Sequence, residues 1–191
     1  MSVPEKTAAC TRRVCLKRVL SLSLAGGYLG LARGTAAPET AAKLWAPWDE
    51  SEEKAIAGSR MGDLIMSWRE AGYSCAESVL GAALNHLDLS EEWVWVAGGF
   101  GGGLGKRQLC GLLTGGVMAL GLSAGKSNRD RKAFRREIGR QRDAFWAWWT
   151  RRAPLNCLDL RPLYDSEGFS RMARRVALRL ETQFNTMKRG G

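Results

Sequence analysis

Between Arg107 and Lys126 lie eighteen residues without a single charge. No other feature limits the fold as strongly. Such a stretch either crosses a bilayer, which takes about twenty apolar residues, or runs through the middle of a core. Seven of the eighteen are Gly, Ser or Thr, which weakens the case for a membrane span. Gly111, Gly115 and Ala119 recur every four residues, as do Leu113, Val117 and Gly121. Small residues at that spacing let neighbouring helices approach closely. The stretch therefore reads as a buried central helix over about 110–124, around which other elements must pack.

Those other elements also read as helices. Ile56, Met61, Leu64, Ile65 and Trp68 fall three to five residues apart, predicting a helix over 51–71. Val79, Leu80, Ala83 and Leu87 share one face of a second, 75–87. The alternation Trp93-Val94-Trp95-Val96 could suggest a strand, but it follows Ser90-Glu91-Glu92, a helix start, so 91–97 is expected to be helical. Phe134, Ile138, Phe145, Trp148 and Trp149 predict a basic helix over 129–151. Phe169, Met172, Val176, Leu180 and Phe184 predict a last one over 167–185. The expectation is an all-α fold, a compact bundle of about five or six helices with a glycine-rich loop. Its 45% apolar and 25% charged composition suits a globular domain.

A net charge of +10 raises nucleic acid or anionic lipid as partners. Half of that charge lies in residues 1–38. There Thr11-Arg12-Arg13-Val14-Cys15-Leu16-Lys17 resembles the twin-arginine export motif, with Cys15 at the usual Phe position. An uncharged run from Val19 to Ala32 follows, then Gly34-Thr35-Ala36, a small-x-small cleavage pattern. Residues 1–38 are thus expected to be a leader cleaved after Ala36, 39–50 a linker, and 51–191 the domain. The expected location is exported and periplasmic, tethered to the membrane if the leader stays, with the twin-arginine machinery as an export partner.

The remaining positive charge concentrates on the 129–151 helix. Arg129, Arg131, Lys132, Arg135, Arg136, Arg140, Arg142, Arg151 and Arg152 are interrupted by Asp130, Glu137 and Asp143. Basic residues beside Trp146, Trp148 and Trp149 resemble a single-strand-binding surface. The aromatics fall partly on the core stripe, however, and an exported protein rarely meets nucleic acid. A solvated face is expected, or one that meets a redox partner protein or an anionic membrane surface, with no nucleic-acid partner.

The leader removes Cys10 and Cys15, leaving Cys75, Cys110 and Cys157. Each stands where a helix begins. Ser74-x-x-Glu77 is a capping box that makes Cys75 the first helical residue and Glu77 a cap. Cys110 follows the glycine loop, and Asn156 is a good N-cap before Cys157. Helix N-termini stabilise thiolates, so lowered pKa values are expected, and a thiolate is both nucleophile and metal ligand. Three is an odd count: one pair plus a free thiol, an intermolecular bond, or a ligand set. His86, the one histidine, is expected to be a surface or satisfied side chain, yet it is the only imidazole that could complete a ligand set. There is no Cys-x-x-Cys, and hence no covalent haem site.

The segment Gly98-Gly99-Phe100-Gly101-Gly102-Gly103-Leu104-Gly105 fails as a nucleotide fingerprint, because Leu104 or Lys106 stands where a third glycine is needed. Gly99, Gly101, Gly102, Gly103 and Gly105 are instead expected to let backbone approach backbone or a cofactor. Bare N–H groups in such a loop can hold an anion or hydrogen-bond cluster sulfurs.

Three segments form a set: Tyr73-Ser74-Cys75-Ala76-Glu77-Ser78-Val79-Leu80; the glycine run leading to Cys110-Gly111-Leu112-Leu113-Thr114-Gly115-Gly116; and Asn156-Cys157-Leu158-Asp159-Leu160. In order and spacing the chain resembles, over about residues 60–185, the redox-active family named for its pattern C_GCAxxG_C_C. The resemblance implies thiol or metal-centre redox chemistry. The family's fourth cysteine, near the start of the last helix, has no counterpart in residues 163–170. Two versions stay open: a cycling disulfide with a third thiol, or three thiolates holding an iron–sulfur or other metal centre with a non-cysteine fourth ligand. The alternative is a non-catalytic periplasmic binding or accessory module with structural cysteines.

Overall fold

The computed structural model describes residues 50–128, 130–163 and 166–189. The leader expected over 1–38, nearly all of the linker over 39–50, and Arg129 lie outside the described residues. The fold is all-α, as expected. Among the described residues seven α-helices follow one another: α1 Glu50–Ala57, α2 Arg60–Glu70, α3 Cys75–His86, α4 Gly111–Ser127, α5 Arg131–Thr150, α6 Cys157–Leu160 and α7 Ser166–Arg189. A 3-10 segment, Glu91–Phe100, and a tight turn, Gly103–Arg107, join α3 to α4.

The helix expected over 51–71 is two helices. The chain breaks at Gly58-Ser59 because Ser59 is extended (φ −76°, ψ 105°) and caps α2, accepting from the Gly62 N–H at 3.0 Å. The Ser59 hydroxyl in turn donates to Glu181 of α7 at 3.2 Å, and the Met61 N–H donates to the same carboxylate. The signal was Ser59 itself, a strong N-cap residue that outweighs a continuous apolar stripe.

Helix α4 is the centre. It packs against α3, α5 and α7 and the 3-10 segment, and Leu112, Leu113, Ala119, Leu120 and Ala124 are buried. Its small residues set the spacing: a methyl on Gly115 would lie 2.6 Å from the Ala76 carbonyl oxygen of α3. Among the described residues no helix is long and apolar enough to cross a membrane.

The predicted stripes form the core. Val79, Leu80, Ala83 and Leu87 are buried, as are Met172, Val176, Leu180 and Phe184. On α5, Phe145 and Trp149 are fully buried and the Trp149 indole N–H donates to the Pro154 carbonyl at 2.9 Å, satisfying a polar atom the core would otherwise strand. The opposite face carries Arg131, Lys132, Arg135, Arg136, Arg140 and Arg142, all exposed. The Trp93–Val96 alternation is helical: Val94 and Ala97, three apart as a 3-10 turn requires, point inward, while Trp93, Trp95 and Val96 are exposed.

Candidate functional site

The three cysteines sit at the starts of α3, α4 and α6. Cys75 opens α3 behind a complete capping box: the Ser74 N–H donates to the Glu77 carboxylate at 2.8 Å and the Ser74 hydroxyl accepts from the Glu77 N–H at 3.4 Å. Glu77 is therefore a cap, as the spacing indicated. Cys110 is the N-cap residue of α4 and is 1% exposed. Cys157 opens α6 behind Asn156, although the Asn156 side chain makes no capping bond.

A short antiparallel bridge, Leu109 opposite Asn156, ties two of these starts together. The Cys110 N–H donates to the Leu155 carbonyl at 2.8 Å, and the Cys157 N–H donates to the Gln108 carbonyl at 2.6 Å. The bridge thus places Cys110 and Cys157 diagonally across one ladder, forty-seven residues apart in sequence. Helix α3 joins them by direct packing. A methyl on Gly111, the residue after Cys110, would lie 2.9 Å from the Cys75 Cβ. Cys75 and Cys157, both half-buried, also interact electrostatically.

The glycine run folds into a left-handed turn. Gly102, Gly103, Leu104 and Gly105 have φ of 60°, 65°, 59° and 64°. Arg107 follows at φ 59°, and the Gln108 N–H closes back on the Gly103 carbonyl at 3.0 Å. A run of left-handed residues is rare, because each L side chain there costs about 1–2 kcal/mol. Among the glycines expected to serve a cofactor, two make close approaches. A Cβ on Gly101 would strike the Ser74 side chain at 2.5 Å, and one on Gly103 would lie 2.5 Å from the Gln108 carbonyl oxygen and 2.9 Å from the Cys157 Cβ. Gly99, Gly102 and Gly105 have nothing within 4 Å of a Cβ and face open space.

The electrostatics of Cys75 run against the expectation. Its helix start was to lower the thiol pKa; instead burial pushes it up, and the neighbouring Cys157 pushes the same way. The Arg69 guanidinium and the backbone N–H of Cys75 pull it down without prevailing. Arg69, which sequence reading did not single out, comes from the end of α2. It is held there by donating to the Tyr73 carbonyl and by stacking over the Phe169 ring at 5.1 Å. Alkylation of Cys75 by iodoacetamide should therefore keep accelerating as pH rises past the ordinary thiol pKa of about 8.5. Removing the Arg69 charge raises the pKa further, leaving less thiolate at any given pH. Arg69→Gln is expected to slow alkylation at pH 8 several-fold, and an unchanged or faster rate would contradict this account.

His86 is half-buried, with its ring 5.5 Å from that of Phe184. It lies at the far end of α3 from Cys75, about 16 Å along a helix rising 1.5 Å per residue. Among the described residues no group of three or more His, Cys, Asp or Glu side chains is placed to hold a metal ion. The side chains as arranged do not fit a three-thiolate centre with His86 as fourth ligand.

No curated protein and no solved structure shows significant similarity to the chain. A family profile described as "Putative redox-active protein (C_GCAxxG_C_C)" matches residues 73–179, more than half of the sequence. The match begins two residues before Cys75 and takes in Cys110, Cys157 and the left-handed turn between the first two. The chain belongs to the C_GCAxxG_C_C family of redox-active proteins.

Proposed function

We propose that Cys75 and Cys157 form a thiol–disulfide couple that exchanges electrons with a partner protein carrying a disulfide. The observation that carries this reading is their pairing: two half-buried thiols from different helices, with Cys157 close enough to raise the Cys75 thiol. A thiolate attacks one sulfur of the partner's disulfide, forming a mixed disulfide and releasing one partner thiolate. The second cysteine, deprotonated, attacks the sulfur of the first and releases the second partner thiolate. The chain thereby loses two electrons and two protons, and the partner gains both. Cys75, whose thiolate burial disfavours, suits the second step; Cys157 suits the first. Exposed Leu158 beside Cys157, and exposed Leu104 on the turn that touches it, give the partner an apolar landing. The twin-arginine-like leader adds an exported, periplasmic setting, an oxidising compartment in which a cycling disulfide can operate.

The metal-centred version is the less favoured reading, because among the described residues no three His, Cys, Asp or Glu side chains are grouped to hold a metal ion, and no step is routed through a metal. The test is to equilibrate the full chain in glutathione buffers of graded ratio, trap remaining thiols, and map the disulfide by peptide mass. The expected cross-link joins the Cys75 and Cys157 peptides, with Cys110 alkylated after unfolding. A different cross-link, or thiols unchanged across all ratios, overturns the proposal. Stoichiometric iron with visible absorbance in the purified chain would favour the metal-centred version instead.

A further inference from the structure

Away from the cysteines, the start of α2 and the end of α3 line one cavity of about 430 Å³. Arg60, Met61 and Leu64 line it from α2. His86 closes α3 there, and Asp88, Leu89 and Glu91 follow in the turn beyond. Its volume falls among those of small-ligand pockets, about 300–1,000 Å³. Both walls are braced. The start of α2 is fixed by Glu181, whose two oxygens accept from the Ser59 hydroxyl and the Met61 N–H, each at 3.2 Å. The turn after α3 is held by the Leu89 N–H on the Leu84 carbonyl at 3.0 Å and by the Lys126 ammonium, which donates to the Leu87 carbonyl. The Asn85 amide, also in the lining, donates to Glu91 at 2.6 Å. Asp88 itself is left-handed at φ 53°, a conformation that Asp tolerates better than most residues. The cavity is therefore formed without a ligand, as small-molecule sites usually are.

The lining is polarised. A helix start is electropositive and a helix end electronegative, and here the side chains add to both. Arg60 is the first residue of α2, while Asp88 and Glu91 lie just past the end of α3. A cation at a helix start and carboxylates beyond a helix end both run against the dipole preference, so neither placement serves helix stability. Nor do the charges cancel one another. Among the described residues no ion pair joins Arg60 to Asp88 or Glu91, and neither the Arg60 nor the Asp88 side chain makes a hydrogen bond. Met61, Leu64 and Leu89 supply an apolar lining to the same space. We propose that the cavity binds a small zwitterion with an apolar body, of the class of short apolar peptides with free termini. The ligand carboxylate accepts from the Arg60 guanidinium, a fork suited to carboxylates. Its ammonium lies against Asp88 and Glu91, and its side chains lie on Met61, Leu64 and Leu89. The site shares no residue with the thiol couple and lies at the opposite end of α3 from Cys75.

The test is a calorimetric titration of the full chain with three peptides: leucyl-leucine, N-acetyl-leucyl-leucine, which lacks the ammonium, and leucyl-leucinamide, which lacks the carboxylate. Leucyl-leucine is expected to bind saturably, and each capped peptide about tenfold more weakly for the loss of one charge-assisted contact. Arg60→Gln should weaken leucyl-leucine about tenfold and leave leucyl-leucinamide unchanged. Asp88→Asn should weaken leucyl-leucine and leave N-acetyl-leucyl-leucine unchanged, since asparagine also tolerates the left-handed backbone. Both positions are exposed, so neither variant is expected to disturb folding. The capped peptides test the same two charges on the unaltered chain. No saturable heat into the millimolar range, a capped peptide that binds as tightly as the free one, or an affinity for leucyl-leucine unchanged in either variant overturns the inference.

Discussion

Cys75→Ser and Cys157→Ser are each expected to remove the two-electron couple completely, while Cys110→Ser leaves it in place. The asymmetry comes from burial and from position on the helices. Cys75 and Cys157 are half-buried and electrostatically coupled, whereas Cys110 is 1% exposed and packed in the main core. Serine at position 110 puts a hydroxyl where a nearly apolar thiol packed, which costs about 1–3 kcal/mol if nothing accepts from it. Cys110 is also the N-cap residue of α4 and makes no side-chain capping bond. Serine is a preferred cap there and can accept from an orphan N–H of the first turn, returning about 1 kcal/mol. The net change for Cys110→Ser should stay within about 2 kcal/mol, with the glutathione-dependent cross-link intact. Redox titration with peptide mapping of the three variants checks this. Survival of the couple in Cys157→Ser, or its loss in a folded Cys110→Ser, would move the chemistry to another pair.

The helices were legible because apolar spacing reports burial directly. Met172, Val176, Leu180 and Phe184 fall on one stripe, and all are buried. The four-residue repeat of small residues on 110–124 likewise announced the tight seam between α3 and α4, seen at Gly115 against Ala76. The helix-start positions of the cysteines were readable from Ser74-x-x-Glu77 and from Asn156. What could not be read depends on partners distant in sequence. Nothing in Gln108-Leu109-Cys110 or Leu155-Asn156-Cys157 marks them as a bridge, since three residues are too few for an alternation pattern. The rise of the Cys75 thiol depends on how deeply tertiary packing buries α3's first turn. That depth wins over the helix-terminus effect inferred from local sequence. Arg69 escaped notice because its relevance is set by the turn at Gly72, where φ is 93° and the chain reverses. Most of the basic face of α5 is solvated, while Arg152, just past its end, is half-buried with its guanidinium over the Trp148 ring at 5.3 Å.

Gly103→Ala is expected to cost about 3 kcal/mol, the largest stability loss from adding one methyl to the left-handed turn. Two penalties add at this position. At φ 65° an L side chain costs about 1–2 kcal/mol. The new methyl would also lie 2.5 Å from the Gln108 carbonyl oxygen and 2.6 Å from its nitrogen, both backbone atoms with little room to give, adding about 1–3 kcal/mol. Gly102 and Gly105 have nearly the same φ, 60° and 64°, with nothing within 4 Å of a Cβ. Alanine at either should therefore cost only the conformational part, about 1–2 kcal/mol. The three substitutions thus separate conformation from close approach within one turn. Urea denaturation should show the midpoint falling furthest for Gly103→Ala with an unchanged slope. The Gln108 carbonyl also holds the Cys157 N–H at 2.6 Å, and the Gly103 methyl would lie 2.9 Å from the Cys157 Cβ. Relief of the clash must therefore shift Cys157, and its alkylation rate should change in Gly103→Ala and not in Gly102→Ala. Equal losses at all three positions, with Cys157 reactivity untouched, would mean that the turn does not brace that thiol.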